Sequence, residues 1–286
     1  MNEEPKMMLG RVRRMIVHGG LAHVDDIVAC AMAYAFGVEP GVRVERRNPT
    51  AEELEDPLVL VLDVGGVHAP GKLDFDHHQR RRDEPPKCAY KLFGEWLGVD
   101  EEMTRLFPWY AVWNLVDVRG PFALAGDLGG SEAVLQGLIG HPLGSFVIRH
   151  FADDPNFRDH VARSIGKEIQ RTRTGWLAIQ DKVIRKTICG LPVDDFTGCL
   201  TEEITRCSDI WVRLNKPACL ISKDSRGNGV TLLRCRDDAR LDFSRCAGRA
   251  DVAFCHPGGF IVKTKSKEDD VGAIIQAALT GEEGSR

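Results

Sequence analysis

The sequence predicts an α/β protein: an open parallel sheet, then linking helices, then a smaller mixed α+β domain. Short aliphatic strands alternate with helical patterns in the first part of the chain, which is typical of a parallel sheet. Short strands dominate the last part. The 286 residues, 43% of them hydrophobic, can bury a full core and indicate more than one domain. We therefore predict domains at 1–135 and 190–286, joined by linker helices at 136–189.

Composition excludes some classes of partner. The formal net charge of −4 gives no overall basic field, so contact with nucleic acid would need a local basic patch. The sequence has no apolar run of about 18 residues, the length that would indicate a membrane helix. The first residues, MNEEPKMMLGRVRR, do not resemble a signal peptide. We expect a soluble, cytoplasmic protein without a membrane partner.

The nine cysteines are isolated from one another. Seven follow residue 188, and none forms a C-x-x-C pair. Isolated thiols of an intracellular chain are mostly reduced, small core residues. We expect that role rather than a zinc site or a disulfide framework.

The first strands and the first helix follow from the hydrophobic pattern. RMIV is a strand, and in HVDDIVACAMAYAF the residues Ile27, Ala31, Met32 and Tyr34 have helical spacing. GVRVERRN is a second strand. PLVLVLDVGG is a third, and its unbroken aliphatic run suits a parallel strand that is buried on both faces.

Imidazoles and carboxylates fall where these strands end, and such strand ends line the ligand crevice of a parallel sheet. The residues are His18 after the first strand, His23 and Asp25 in the next turn, Asp63 after the third strand, His77 and His78 in DFDHHQR, and Asp117 after LFPWYAVWNLV. Each alone has an ordinary explanation, such as a turn or a helix cap. Together they indicate a metal site. Imidazole and carboxylate without a thiolate pair suit Mn²⁺ better than structural zinc.

DFDHHQR resembles the signature of the DHH phosphoesterase superfamily. HGGLAHVDD resembles its first motif, with His23 where an aspartate usually stands. Together with LDVGG, this change is similar to the melanocyte-proliferating-gene branch, whose studied members are 3′–5′ RNA exonucleases. The resemblance is strong from residue 14 to about residue 120. Further on, CHPGGF at 255–260 is similar to the C-terminal glycine motif of that branch.

The resemblance implies two metal ions that share one carboxylate. His18, His23 and Asp63 would hold the first ion, and Asp25, Asp63, His77 and Asp117 would hold the second. The ions would activate a water molecule as the nucleophile. For Asp117, pairing with Arg119 or capping a helix is the alternative, because WNLVDVRGP has no second acid close by.

Other residues of the signature would act around the ions. Asp76 would accept a proton from His77 or hold its strand end, and His78 would face the substrate phosphate. Arg80 would bind a phosphate, as part of the basic run Arg80–Arg82 with Lys87. The alternative for this run is a solvated loop.

The second half of the chain begins with a helical stretch that is predicted to end near Cys189–Gly190. DIWVRL, ACLISKD, GVTLLRCRD, ADVAFC and FIVKTKS follow as predicted strands, and VGAIIQAALT closes as a helix. This part resembles the substrate-binding domain of the superfamily. In CHPGGF, His256, Gly258 and Gly259 would bind substrate, with backbone N–H groups near an anion. A plain turn between two strands is the alternative.

The sequence therefore predicts a two-domain, Mn²⁺-dependent phosphoesterase with two ions, for which Mg²⁺ is the alternative metal. Its expected substrate is single-stranded RNA or a short oligonucleotide, cleaved as by a 3′–5′ exonuclease. One alternative is a pyrophosphatase, polyphosphatase or cyclic-dinucleotide phosphodiesterase with the same metal site. Another is a metal or nucleotide sensor without catalysis. The oligomeric state stays open.

Overall fold

The computed structural model describes residues 3–81, 83–120, 142–237, 240–267 and 269–280. The chain divides into two compact units, Met1–Arg171 and Thr172–Arg286. The predicted domain boundary at 135/136 lies outside the described residues. The boundary between the compact units lies inside a long helix that the sequence analysis assigned to the linker.

The first unit is built on a mostly parallel five-stranded sheet. Its strands are β1 (Arg14–Val17), β2 (Val44–Arg46), β3 (Val59–Leu62), β4 (His68–Ala69) and β5 (Asp74–Phe75). They lie in the order β2-β1-β3-β5-β4, in which only β4 is antiparallel to its neighbour. This confirms the predicted parallel sheet.

Eight helices are described before, between and after these strands, and the last begins in the first unit and ends beyond Arg171. They are α1 (Glu3–Leu9), α2 (Val24–Phe36), α3 (Ala51–Leu54), α4 (Ala89–Leu97), α5 (Asp100–Leu106), α6 (Pro108–Arg119), α7 (Pro142–Asp153) and α8 (Pro155–Gln180). β3 is buried along its whole length, as its aliphatic run predicts. Nearly all of α2 is buried as well, including Asp25 and Asp26 in its first turn. The packing of α2 therefore places two carboxylates inside the unit.

The second unit is a six-stranded mixed sheet with helices. Its strands are β6 (Ile184–Ile188), β7 (Leu191–Asp195), β8 (Cys219–Lys223), β9 (Val230–Arg234), β10 (Val252–Cys255) and β11 (Ile261–Thr264), and its helices are α9 (Thr201–Asn215) and α10 (Val271–Ala278). The strand order is β10-β11-β9-β8-β7-β6, and only β7 and β8 pair in parallel. This confirms the mixed α+β architecture predicted for the C-terminal part.

Two predictions for the second half were wrong. DIWVRL lies in α9, where Cys207, Ile210 and Trp211 bury one face at spacings of three and four residues. Trp211 Nε1 donates to the buried carboxylate of Asp194 at 2.7 Å, which holds this face on the sheet. The helical stretch does not reach Cys189–Gly190. It is split before Pro155 and ends at Gln180, and Cys189 and Gly190 form the left-handed turn between β6 and β7.

Most of the cysteines are core residues. All nine are free thiols, and six of them are buried. Among the described helices, none combines the length and the apolar composition that crossing a membrane requires.

Candidate metal centre

Three strands of the first unit deliver polar side chains to one edge of the sheet. His18 follows β1, Asp63 follows β3, and Asp76 and His77 follow β5. Because β1, β3 and β5 are parallel, their carboxyl ends lie side by side. The sheet therefore brings together groups that are far apart in the sequence.

The first turn of α2 adds two more carboxylates. His23 lies directly before the helix, and its N–H donates to Asp26 Oδ2 at 2.9 Å. The backbone N–H of Asp26 donates to Asp25 Oδ1 at 2.9 Å. Acidic side chains are favoured at this position because they accept hydrogen bonds from N–H groups that have no partner in the helix. Asp25 and Asp26 are nevertheless buried, which a cap alone does not require.

The backbone at Asp63 has an uncommon conformation. Its φ of 59° lies in the left-handed region, which aspartate adopts more readily than most residues. Gly65 and Gly66 continue the turn with φ of 104° and 71°. The N–H of Gly66 donates to Asp76 Oδ2 at 2.6 Å, so this turn is tied to the segment that carries the histidine pair.

His77 lies at the centre of the predicted second ligand group. Its Nε2 is 3.0 Å from Asp63 Oδ1, 3.3 Å from Asp117 Oδ2 and 3.8 Å from Asp25 Oδ2. Asp117 reaches this position from the last turn of α6, so it belongs to a helix rather than to the loop after it. All four predicted ligands of the second ion lie together.

His18 is the corresponding centre of the first group. Its Nδ1 faces the carbonyl oxygen of Gly19 at 2.6 Å. A carbonyl only accepts hydrogen bonds, so Nδ1 carries a proton, and Nε2 is the nitrogen that would bind a metal ion after losing its own proton. Nε2 lies 3.4 Å from Asp63 Oδ2. His18, His23 and Asp63 offer ligand atoms within 4.8 Å of one another, so the structure also brings the first predicted group together.

Asp26 is a member of the site that the sequence analysis did not assign. Its Oδ2 lies 3.1 Å from His18 Nε2, and the residue is fully buried. The adjacent pair Asp25–Asp26 was the signal in the sequence, but only one of the two was expected to be a ligand.

The donor set fits divalent cations. Both carboxylate oxygens of Asp63, together with Asp25 Oδ2 and Asp26 Oδ1, are buried and accept no backbone N–H hydrogen bond among the described residues. Buried carboxylates without partners are costly, and bound cations are one of the arrangements that compensate for them. Asp25, Asp26 and Asp63 place oxygen atoms within 4.8 Å of one another, which again favours a cation between them.

The ionisation of these groups is strongly perturbed. Burial raises the pKa of Asp25 well above its usual value, and the nearby carboxylates of Asp63 and Asp117 raise it further. Burial also raises the pKa of Asp117. Burial lowers the pKa of His77, but contact with Asp63 outweighs that effect and raises it. The hydrogen bond with Asp26 raises the pKa of His18 to about 9. Protons and divalent cations therefore compete for the same atoms.

Asp76 contacts His78 rather than His77. Its Oδ1 accepts hydrogen bonds from the His78 N–H at 2.9 Å and from Nδ1 at 2.7 Å. Burial alone would raise the pKa of Asp76, but the N–H groups of His78 and Gly66 outweigh that effect and lower it. The expectation that Asp76 takes a proton from His77 is therefore not what the geometry shows. Asp76 stabilises the backbone at the end of β5 and orients His78. The side chain of His78 is 57% exposed.

Cavities border this cluster of candidate ligands, and His78 lines two of them. One, of about 590 Å³, is lined by His18, Asp63, Arg47 and Asn48, and the last two were not predicted. Arg47 is held there by Glu45 and Glu53, at 2.7 Å from each. The other cavity, of about 680 Å³, is lined by His77 and Asp117 together with Arg80, Arg81, Lys87 and Arg119.

The predicted basic run lines the second cavity with its charges paired. Arg80 lies 2.7 Å from Glu84, Arg81 lies 3.0 Å from Asp83, and Lys87 lies 2.8 Å from Glu95. Arg82 lies outside the described residues. A phosphate contact by Arg80 stays a prediction, and it would replace the ion pair with Glu84.

The CHPGGF turn lies in the second unit. The N–H of Gly258 donates to His256 Nδ1 at 3.0 Å, and the N–H of Gly259 donates to the His256 carbonyl at 2.9 Å. Gly259 has φ of 68°, and a side chain there would collide with the Asp242 carboxylate. Both glycine N–H groups are thus used inside the turn, and Nε2 is the donor nitrogen that remains on His256. A substrate role for His256, Gly258 and Gly259 stays a prediction.

Comparison with known proteins finds similarity in the segment that carries the site. Residues 14–92 match the family model MYG1_exonuc, described as an uncharacterised protein family, UPF0160. Two curated relatives are a MYG1 protein of Chlamydia pneumoniae, 35% identical over 72 residues, and a MYG1 exonuclease of Rattus norvegicus, 33% identical over 79 residues. The alignments cover 23% and 27% of this chain, and 22% and 20% of the relatives. The chain thus spans about a fifth of the length of the curated relatives that it matches.

Solved structures show only distant likeness. One is a pGpG-specific phosphodiesterase, PggH, from Vibrio cholerae, 12% identical, with a TM-score of 0.32 over 92% of this chain and 96% of that chain. Another is the DHH domain of a member of a ribosomal protein family, 13% identical, with a TM-score of 0.32 over 96% of this chain and 87% of that chain. Likeness at this level carries no argument about activity. The matched segment 14–92, in contrast, contains every predicted metal ligand except Asp117.

Proposed function

We propose that this chain is a divalent-metal-dependent phosphodiesterase that hydrolyses single-stranded RNA or short oligonucleotides. The observation that carries the proposal is the position of Asp63. One of its oxygens lies 3.4 Å from His18 Nε2 and the other lies 3.0 Å from His77 Nε2, and neither oxygen accepts a backbone N–H hydrogen bond among the described residues. One carboxylate is thus shared between two histidine-containing groups, which is the arrangement of two-metal phosphoesterase sites.

The ligands divide between two positions. His18, His23 and Asp63 would hold one ion, and Asp25, Asp63, His77 and Asp117 would hold the other. Asp26 lies 3.1 Å from His18 Nε2, the nitrogen that would face the ion, so its carboxylate would supply a further oxygen at the first position. Divalent ions bound there would lower the pKa of a water molecule and neutralise the charge that develops on the phosphate.

The residues around the ligands position the substrate. Asp76 accepts a hydrogen bond from His78 Nδ1, which leaves Nε2 of that exposed ring to face a ligand in either cavity. A phosphate between His78 and the ligands would lie next to the cavity with Arg80 and Lys87. These cationic groups suit a chain of phosphates, which a nucleic acid supplies.

Two further points support the finer assignment. The ligand atoms are imidazole nitrogens and carboxylate oxygens without a thiolate, a set that suits Mn²⁺ and accommodates Mg²⁺. The rat relative is named an exonuclease, and the similarity to it lies in the metal-bearing segment. We infer 3′–5′ exonuclease activity on RNA from this likeness.

A substrate panel tests the proposal. Protein stripped with a chelator is supplied with Mn²⁺ or Mg²⁺ and incubated with end-labelled RNA, DNA, pyrophosphate and cyclic dinucleotides. We expect mononucleotides from the 3′ end of RNA, and the highest rate with Mn²⁺. Faster hydrolysis of pyrophosphate than of any RNA would assign the site to a pyrophosphatase. Metal binding without hydrolysis of any compound would indicate a sensor, and full activity in excess chelator would reject the metal mechanism.

A further inference from the structure

The second unit carries a strip of three rings, formed by Phe254, His256 and Phe260. The centroids of Phe254 and His256 lie 6.5 Å apart, and those of His256 and Phe260 lie 4.1 Å apart. Phe254 is 46% exposed and Phe260 is 38% exposed. Single exposed apolar residues are common, but here two exposed phenylalanines lie on either side of a histidine, with interplanar angles of 68° and 45° to its ring.

Local backbone structure turns these rings outward. Phe254 lies in β10, the edge strand of the sheet, where the pairing shifts register between Val252 and Phe254. Such irregularities re-aim a side chain. Phe254 pairs with Lys263 of β11, so the two side chains lie on the same face of the sheet. The neighbouring residue of β11, Val262, is fully buried in the core. The turn at Gly259 then places Phe260 beside His256.

The strip combines stacking surfaces with a hydrogen-bond donor and little charge. Because Nδ1 of His256 accepts the Gly258 N–H, the neutral ring carries its proton on Nε2. The ammonium group of Lys263 is paired with Asp224 at 2.5 Å, so the cation beside Phe254 is neutralised. Flat rings with an adjacent N–H donor are the means by which proteins bind unpaired nucleobases. A phosphate would have fewer hydrogen-bond donors here, because both glycine N–H groups already donate within the turn.

We propose that Phe254, His256 and Phe260 bind an unpaired nucleobase of the substrate. This inference rests on the proposed function and narrows it, because it requires a substrate that carries a base rather than an inorganic polyphosphate. Stacking on the phenylalanine rings would accept any base, and the His256 Nε2–H would donate to an acceptor on the base edge.

The test measures binding of a short, fluorescently labelled oligoadenylate to the full chain in excess chelator, so that no cleavage occurs. A second oligonucleotide has the same phosphates but lacks the 3′-terminal base. We expect Phe254→Ala and Phe260→Ala each to weaken binding of the intact RNA by about 5- to 100-fold, the range for loss of one base–aromatic stack. Their binding of the abasic RNA should equal that of the wild type. Both residues are exposed, so the variants should keep the wild-type unfolding midpoint.

Phe146→Ala is the matched control. Phe146 is 49% exposed and contacts His150 with ring centroids 3.9 Å apart, but it lies in α7 of the first unit. An equal loss of binding in this variant would overturn the proposal, as would unchanged binding in both strip variants. RNA cleavage separates a failure of the aromatic strip from a failure of the proposed function. If wild-type protein with Mn²⁺ cleaves RNA while the strip variants bind it normally, the proposed function stands and the strip is rejected. If it cleaves no RNA, the proposed function fails.

Discussion

Replacing Asp63 with asparagine separates a metal ligand from a structural acid. Asparagine has the same shape and adopts the left-handed conformation as readily, so the backbone at φ 59° is not strained by the change. The substitution removes one negative charge from the side chain of residue 63. One oxygen of Asp63 lies 3.4 Å from His18 Nε2, and the other lies 3.0 Å from His77 Nε2. Both proposed ions thus lose a direct carboxylate ligand.

The expected effects have opposite signs with and without metal. Loss of an outer partner of a metal ligand costs roughly 10- to 100-fold in affinity, so loss of the shared ligand should cost each ion more than about 100-fold, or about 2.8 kcal/mol. Without metal, the variant should be more stable, because a buried carboxylate that accepts no backbone N–H no longer lies beside Asp25, and we expect relief of that repulsion to exceed the loss of the His77 contact at 3.0 Å. A penalty of about 1–3 kcal/mol for such a group corresponds to an unfolding midpoint raised by roughly 2–12 °C.

Asp76→Asn is the matched control. Asp76 accepts hydrogen bonds from the Gly66 N–H and from two nitrogens of His78, so its carboxylate has partners without any metal. An amide cannot accept all three, and the metal-free variant should lose about 1–3 kcal/mol of stability. It should still bind two ions, each weakened by no more than the roughly 10- to 100-fold that loss of an outer partner costs, because Asp76 contacts His78 and not a predicted ligand.

Calorimetric titration with Mn²⁺ and thermal unfolding in chelator measure both quantities. The reasoning fails if Asp63→Asn keeps two tightly bound ions, or if Asp76→Asn is the variant that loses both. A metal-free Asp63→Asn protein that is less stable than the wild type would likewise show that Asp63 has a structural role.

Four further predictions concern the same site. His18 has a pKa of about 9, so it is protonated at pH 7. Mn²⁺ binding should therefore release about one proton, and the affinity should rise with pH up to about 9. Titration in buffers of different ionisation enthalpy measures the proton release, and a binding heat independent of the buffer would contradict it. In the metal-free protein the same raised pKa contributes stability that is complete below about pH 6.5 and is lost as pH rises through about 9. His77→Ala should abolish turnover while the fold persists, because Nε2 lies within 3.8 Å of three carboxylates; normal turnover would exclude it as a ligand. Arg80→Ala should raise KM for RNA and flatten the dependence of KM on salt. The control Lys72→Ala removes an exposed ion pair with Glu55 and should leave KM and its salt dependence unchanged. Equal kinetics in the two variants would show that Arg80 contacts no phosphate.

The parallel sheet and the six predicted metal ligands could be inferred from the sequence. Aliphatic runs that end in His18 and Asp63, and DFDHHQR after a short strand, are local patterns, and parallel pairing brings their ends to one edge. The strand predicted at DIWVRL was wrong because its alternation also fits a helix that buries Ile210 and Trp211. Whether such a short apolar segment forms helix or strand depends on what packs against it, and sequence periodicity does not contain that information.

Local sequence patterns predict which chemical groups follow the strands of the first unit, because the aliphatic runs of β1 and β3 stop at His18 and Asp63. Which of these groups touch one another depends on how the elements pack. Asp25 and Asp26 are neighbours on α2, and the rotation of that helix against the sheet directs Asp26 to His18 and Asp25 to His77. The turn after Asp63 likewise places the Gly66 N–H at one carboxylate oxygen of Asp76. The other oxygen of Asp76 contacts His78. Side-chain contacts of this kind depend on distances of a few ångströms between elements, and those distances are set by packing across the core rather than by any local pattern.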